Sequence, residues 1–251
     1  MDNERLIEKI MQKPELKELP KEDIEMAFSL CFKKEYSDKE QIKCTREILH
    51  RVYGAFGSRK LLIAKVRDPE WILRKHLSTR ERLSYYSEIY DRILGNFKGV
   101  IFDFGAGVNG FSLNFIPQVK YIGVEGIGQL VNLMNNYFRK QKFNAKAIHL
   151  SLFKLKEIKS LIKKEKGKKI IFLFKVLDSL ESLEKDYSKK FLLETTSLVG
   201  KVVVSFATRS MISKKPFKAK RYWIVNFIRE NFKILDDFEK GGERYICFTQ
   251  K

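Results

Sequence analysis

The chain has 251 residues, 44% of them hydrophobic, which suffices for a packed core in one large domain or in a small domain beside a standard α/β one. Its 50 Lys and Arg against 31 Asp and Glu give a net charge of +19, an excess that argues for a polyanionic partner, nucleic acid before membrane. No apolar run approaches the ~18 residues of a membrane span. The amino terminus, with Asp2, Glu4 and Glu8, reads as neither signal nor transit peptide. Cys31, Cys44 and Cys247 and the three histidines, His50, His76 and His149, lack metal-ligand spacing. No metal is therefore expected, and the cysteines read as reduced core residues of a cytoplasmic protein.

Residues 1 to about 75 read as helical. A short amphipathic segment from Asn3 to Met11 is closed off by Pro14. Pro20 opens a second helix with Glu22, Asp23 and Glu25 in its first turn, where the helix dipole favours acids. Ser37 and Glu40 have the capping-box form and start a third helix, lined by Ile42, Leu49, Val52 and Tyr53 and ended by Gly54 and Gly57. Shorter helices are expected near Lys60 to Val66 and Pro69 to Lys75. In the string His76-Leu-Ser-Thr-Arg-Glu-Arg-Leu83, Ser78 and Glu81 form a second capping box. The helix it opens runs to about Leu94 and can set Arg82 beside whatever follows the next strand, where a guanidinium suits a ligand carboxylate.

From there strands and helices alternate. Val100 to Phe102 is a buried parallel strand, ended by Asp103 and followed by Gly105, Gly107 and Gly110, a turn that lets backbone approach a small ligand closely. Val119 to Val124 is a second strand with Glu125 at its end, 22 residues after Asp103, where an acid grips a ribose diol. Gly126 to Lys140 is helical and Ala145 to Leu150 a third strand. A lysine-rich helix covers Phe153 to about Lys166, and a fourth strand, Lys169 to Phe174, ends in Lys175. Glu184 to Thr195 is helical, and Val202 to Phe206 is a fifth strand with Ser205 near its end. A basic stretch follows, with Lys214, Lys215, Lys218, Lys220 and Arg221 interleaved with Phe217, Tyr222 and Trp223, a mixture suited to phosphates and stacked bases. Tyr222 to Asn231 is helical, and Phe232 to Leu235 and Tyr245 to Thr249 close the sheet as an antiparallel pair. The βαβ order predicts a doubly wound sheet with its ligand at the strands' carboxyl ends, where Asp103, Glu125, Ser151, Lys175 and Ser205 fall.

Charge is also unevenly placed. Residues 1–98 carry 21 basic and 17 acidic side chains, and residues 99–251 carry 29 and 14. The polyanion is thus expected near the ligand site. Gly105, Gly107 and Gly110 fit a dinucleotide fingerprint, but Asp103 would repel a pyrophosphate and can hold an ammonium. Between a nicotinamide dinucleotide and S-adenosylmethionine, the second fits better: it has an amino-acid tail and no phosphate.

Four blocks in order, His76–Leu83 (HLSTRERL), Ile101–Asn109 (IFDFGAGVN), Leu173–Glu181 (LFKVLDSLE) and Val203–Ser210 (VVSFATRS), resemble the aminoglycoside-resistance 16S ribosomal RNA (guanine-N7) methyltransferases over about residues 45–251. The resemblance implies a helical N-terminal RNA-docking domain, residues 1–75, and a Rossmann-like S-adenosylmethionine-dependent methyltransferase domain, residues 76–251. It implies that Ser78 and Arg82 bind the methionine end of the cofactor, that Gly105 and Gly107 face it, and that Glu125 grips the ribose. Ser151 and Leu152 would begin the adenine loop. Lys175, Glu181, Ser205 and Arg209 would position the target base without a general base, since guanine N7 carries a free lone pair. The RNA contacts would come from Lys214, Lys215, Lys218, Lys220, Arg221 and Tyr222. Three positions depart from the family pattern: Ala207 and Gly110 replace prolines, and Ser151 replaces an acid. The expected partner is structured RNA of the small ribosomal subunit, bound by a cytoplasmic monomer. The alternatives are a tRNA guanine-N7 methyltransferase and a non-catalytic RNA-binding assembly factor of the same fold.

Overall fold

The structure is a computed structural model that describes residues 3–54, 61, 68–116, 119–208 and 221–251. The helix expected near Lys60 to Val66, and Arg209, Lys214, Lys215, Lys218 and Lys220 of the expected RNA-contacting set, lie outside the described residues.

The amino-terminal part is helical as expected: α1 (Asn3–Met11), α2 (Lys21–Cys31) and α3 (Asp38–Leu49), which continues as a π-helical turn, His50–Gly54. Pro20 stands at the N-cap of α2. The Ser37–Glu40 capping box forms, with the Ser37 N–H donating to Glu40 Oε2 at 2.8 Å. Cys31 and Cys44 are joined in a disulfide that ties α2 to α3, so the reading of three reduced cysteines is corrected, and Cys247 alone is free and buried. Their helical positions face each other across a pair of packed helices, which sequence spacing does not reveal.

Next come α4 (Pro69–Lys75) and α5 (Leu77–Arg82). A 3-10 turn, Leu83–Tyr85, separates α5 from α6 (Tyr86–Leu94). The second capping box is not formed: His76 is the N-cap of α5, without a side-chain cap, and Ser78 lies inside the helix. Glu81 is drawn away by Lys175, whose Nζ lies 2.6 Å from its Oε2. A tertiary ion pair thus displaces the local bond, and the expected continuous helix breaks at the 3-10 turn.

The remainder is a seven-stranded sheet, β1 (Val100–Phe104), β2 (Lys120–Glu125), β3 (Ala145–His149), β4 (Lys169–Phe174), β5 (Lys201–Ala207), β6 (Phe232–Lys240) and β7 (Glu243–Gln250), in the order β3-β2-β1-β4-β5-β7-β6. All pairs are parallel except those made by β7. Between them lie a 3-10 segment (Asn109–Phe115) and helices α7 (Gly128–Gln141), α8 (Leu155–Lys164), α9 (Leu177–Leu183), α10 (Tyr187–Thr196) and α11 (Tyr222–Asn231). Helix α9 was not expected: its seven residues are too few to show a helical period, and unlike the equally short α4 it has neither a proline at its start nor a side-chain cap.

Both sheet faces are covered, which is why the central strands are mostly apolar, with Asp103 and Ser205 as polar exceptions near their carboxyl ends. Ile101, Phe172 and Val203 pack on one face against Ile89, Ile93, Phe111 and Met134, in a cluster continuous with Ile24, Phe28 and Leu49 of the amino-terminal helices. On the other face, Phe102, Ile171 and Val204 pack against Ile158, Phe191 and Ile228. Strand order reverses between β1 and β4, and at such a switch point the loops diverge and leave a crevice at the carboxyl ends.

Candidate active site

The cavity at that crevice is lined by the glycine turn after β1, by Glu125 at the end of β2, by Lys175 after β4, and by His76, Ser78 and Arg82 of the α4–α5 segment. The turn can be tight because Gly105 and Gly107 adopt φ of +70° and +55°, left-handed values that disfavour a side chain. A Cβ on Gly105 would fall 2.5 Å from Val176 Cγ2, and one on Gly107 3.0 Å from His76 Nε2. Gly110 lies in the 3-10 segment, where a Cβ would meet Phe138 instead, so it serves packing.

Glu125 is buried and braces the turn. Its Oε2 accepts the Gly107 N–H at 2.7 Å and its Oε1 the Ile127 N–H at 2.9 Å. Burial raises its pKa above the ordinary carboxylate value, against the pull of these donors. Each oxygen keeps a lone pair, enough for a ribose diol. Asp103, also buried, accepts from Asn109 Nδ2 and the Tyr121 hydroxyl, both at 2.7 Å. Burial likewise raises its pKa.

Arg82 is held from three sides. Its Nε donates to Glu243 Oε2 at 3.2 Å, Nη1 to Asn109 Oδ1 at 2.8 Å and Nη2 to Ser78 Oγ. Burial alone would lower its pKa, but Glu243 beside it keeps it raised. Of the five N–H groups of a guanidinium three are used, so two remain for a ligand carboxylate. His76 lies against Gly107 and lines the cavity with Arg82. Its pKa is lowered to about 3 by burial, then by the charges of Arg82 and Lys175, so it is neutral at physiological pH.

Glu243, at the start of β7, joins these groups, and sequence reasoning missed it. It is fully buried, with Lys175 Nζ 3.1 Å from its Oε2 and the Ser205 hydroxyl donating to Oε1. Burial would raise its pKa, yet Arg82 and Lys175 hold it below the usual value. Only the antiparallel register of β7 on β5, which pairs Ala207 with Glu243, brings it here. Lys175 itself has φ of +60°, an uncommon value for a residue with a side chain.

The structure does not bring every expected residue together. Lys175 lines the cavity, whereas Ser205 stands behind it: its carbonyl accepts the Lys175 N–H at 3.1 Å and its hydroxyl donates to Glu243. Glu181 turns to the start of α10, where its Oε1 accepts the N–H of the N-cap Asp186 at 2.6 Å. Leu152 lines the cavity, and Ser151 beside it is buried and donates to Asp23. Arg221, expected to contact RNA, donates to Asp178 Oδ2 at 2.7 Å and to the Ala207 carbonyl at 2.8 Å, while Tyr222 is exposed.

An S-adenosylmethionine fits this donor set. Cations with spare N–H groups stand at one end, a buried carboxylate with free lone pairs in the middle, and the close approach is guarded by glycines that a Cβ would fill. Among the described residues, no cluster of ligating side chains suits a metal, and no helix is long and apolar enough to cross a membrane.

No family model matches the chain. A 16S rRNA (guanine(1405)-N(7))-methyltransferase of Proteus mirabilis is 25% identical over 254 aligned positions, which cover 86% of each chain. The 16S rRNA methylase RmtB superposes with a TM-score of 0.82 at 19% identity, over 100% of this chain and 99% of its own. The 16S rRNA methyltransferase RmtF, solved with S-adenosyl-L-homocysteine, superposes with a TM-score of 0.83 at 21% identity over the whole of both chains. The chain therefore has the fold of the S-adenosylmethionine-dependent methyltransferases and resembles the 16S rRNA guanine-N7 methyltransferases over most of its length.

Proposed function

We propose that the protein is an S-adenosylmethionine-dependent methyltransferase acting on N7 of a guanine in 16S ribosomal RNA. The observation that carries this reading is the meeting, in one crevice, of Arg82, Glu125 and the Gly105–Gly107 turn. Together they suit an amino acid joined to a nucleoside. The similarity to the Proteus mirabilis methyltransferase supports the choice of target.

When bound, the cofactor supplies an electrophilic methyl group: the bond from N7 to the methyl forms as the sulfur–methyl bond breaks. N7 holds its lone pair in the plane of the base, so no proton must leave first. What the chain must supply is placement. Arg82 and Ser78 would hold the methionine end, Asp103 would take its ammonium, and Glu125 would hold the ribose, since all four line the cavity. Lys175, kept in place by Glu81 and Glu243, offers a cation on the cavity wall to the incoming base. Guanine must leave its stack to reach this depth. Glu181, Ser205 and Arg209 complete the target-base set in this reading, and Lys214, Lys215, Lys218, Lys220, Arg221 and Tyr222 the RNA contacts. The helical region 1–75 docks the ribosomal RNA, and the protein works as a cytoplasmic monomer.

The test is to incubate the protein with labelled S-adenosylmethionine and, separately, small ribosomal subunits, naked 16S rRNA and tRNA, and then map the modified nucleotide. Methylation at a guanine N7 of the small subunit is the expected result. Label on tRNA alone, on an adenine or on an exocyclic amine would overturn the assignment, and binding of RNA without transfer would mark an assembly factor.

A further inference from the structure

Asp23 has no role in the reading above, yet it lines the same cavity as Gly107 and Glu125 and is completely buried. It belongs to α2, in a segment laid across the β2–α7 turn. There the Gly128 N–H donates to the Glu18 carbonyl at 3.2 Å, and Gln129 Nε2 to the Pro14 carbonyl at 3.0 Å. Two hydroxyls donate to the Asp23 carboxylate, Ser151 to Oδ1 and Tyr53 to Oδ2.

A carboxylate offers about four acceptor positions, so two remain after these bonds. A buried carboxylate whose hydrogen bonds come only from neutral hydroxyls, with the nearby Lys154 ion-paired to Glu22 instead, is costly unless something more donates to it. Burial raises its pKa despite both hydroxyls. The walls beside it are apolar, from Ile127, Leu150, Leu152 and Phe153. The strand-end loop 150–154 holds neither acid nor amide, and its serine spends its proton on Asp23. An apolar slot with one carboxylate acceptor at its edge is the chemistry of a flat ring bearing an amino group.

With the methionine end at Arg82 and the ribose at Glu125, the remaining end of the cavity takes the base, so the inference rests on the proposed cofactor. We propose that Asp23 accepts a hydrogen bond from the exocyclic amine of the adenine ring, and that the amino-terminal helices thereby read the base of the methyl donor. Tyr53, from the π-helical turn, and Ser151, from the sheet domain, hold the carboxylate in place. The Ser151 bond already ties α2 to the loop after β3, so the carboxylate is in place before the cofactor arrives. A hypoxanthine ring, with an oxo group in place of the amine, meets the same carboxylate lone pair to lone pair and is rejected.

Isothermal titration with S-adenosyl-L-homocysteine and S-inosyl-L-homocysteine tests this without turnover. The wild-type protein is expected to prefer the adenosyl compound by about 10-fold or more, the worth of one hydrogen bond to a charged group. Asp23→Asn, whose amide can also donate, is expected to bring the two within about threefold, mainly by tightening the inosyl compound. Ser151→Ala, which leaves the carboxylate, keeps the preference. Equal discrimination by wild type and Asp23→Asn, or none in the wild type, would overturn the role of Asp23 while S-adenosyl-L-homocysteine still bound. Failure of both compounds to bind the wild type would instead sink the cofactor reading. Should thermal unfolding show Asp23→Asn to be misfolded, the exchange Asp23→Ser with Ser151→Asp carries the test: a retained preference supports the proposal, and a lost one refutes it.

Discussion

Arg82 and Glu243, 161 residues apart in the chain, meet as an ion pair at 3.2 Å with neither side chain more than 3% exposed. Lys175 shares the same carboxylate, so one anion is paired with two cations that line the candidate site. Removing the anion leaves Arg82 buried without a counter-charge, whereas Lys175 retains Glu81. Glu243→Gln should therefore destabilise the protein by about 3 kcal/mol, the cost of breaking a buried pair. Urea unfolding at neutral pH measures it, and a loss below about 1 kcal/mol would show that the pair is not structural.

Lys175 places a side chain where backbone φ is +60°. Its left-handed conformation costs about 1 kcal/mol that glycine does not incur. Lys175→Gly is thus expected to be more stable than Lys175→Ala by about that amount, although both lose the bonds to Glu81 and Glu243. Both should also lose methyl transfer while retaining cofactor affinity, as a residue facing the target base would. A parallel fall in affinity would place Lys175 against the cofactor instead.

Gly105→Ala combines two penalties, a φ of +70° and a Cβ 2.5 Å from Val176 Cγ2. Strain and overpacking together should cost about 2–4 kcal/mol, and moving the turn should weaken S-adenosyl-L-homocysteine by about 10-fold or more. Differential scanning fluorimetry with and without the ligand reads both effects. Unchanged affinity would mean that the turn does not face the cofactor.

Acid should unsettle the protein through His76 before it reaches Glu243. The folded pKa of His76, about 3, lies below its ordinary 6.5. Between those values the unfolded chain binds a proton that the native state does not, so this contribution to stability shrinks as pH falls through that window. Glu243, whose folded pKa is depressed, adds a second loss as pH drops below the ordinary carboxylate range. Asp23, Asp103 and Glu125, with raised values, act in the opposite sense. The clean measurement is therefore the difference between wild type and His76→Gln in urea unfolding from pH ~7 to ~4.5. The variant should show the shallower decline, and identical slopes would refute the assignment to His76.

The Cys31–Cys44 disulfide predicts that the denatured, unreduced protein takes up a single alkylating group, at Cys247. Reduction should lower stability by about 3 kcal/mol, the loop-closure value for a link of this length. Three alkylated cysteines in the protein as isolated would show that the pair is not oxidised there.

Much of the frame was legible because it is written in local periods and punctuation. Apolar runs announced β1, β4 and β5, Pro20 and Pro69 marked helix starts, and Ser37 with Glu40 formed the expected capping box. The same local rule failed at Ser78 and Glu81, because a lysine 94 residues away competes for the glutamate. Asp23 looked like an ordinary first-turn acid favoured by the helix dipole. Its burial against Ser151, 128 residues later, gives it a different meaning.

By itself, the sequence determined the order of the strands and of most helices, the glycine turn after β1 and the acids at the ends of β1 and β2. These depend on neighbours within a few residues. Only the tertiary structure decided which charges meet. The return of β7 beside β5 buries Glu243 under Arg82 and Lys175, and the packing of α2 across the end of β2 brings Asp23 to the cavity. Such pairings depend on register and on which elements pack together, and in a low-dielectric interior they outweigh the local bonds that sequence patterns describe.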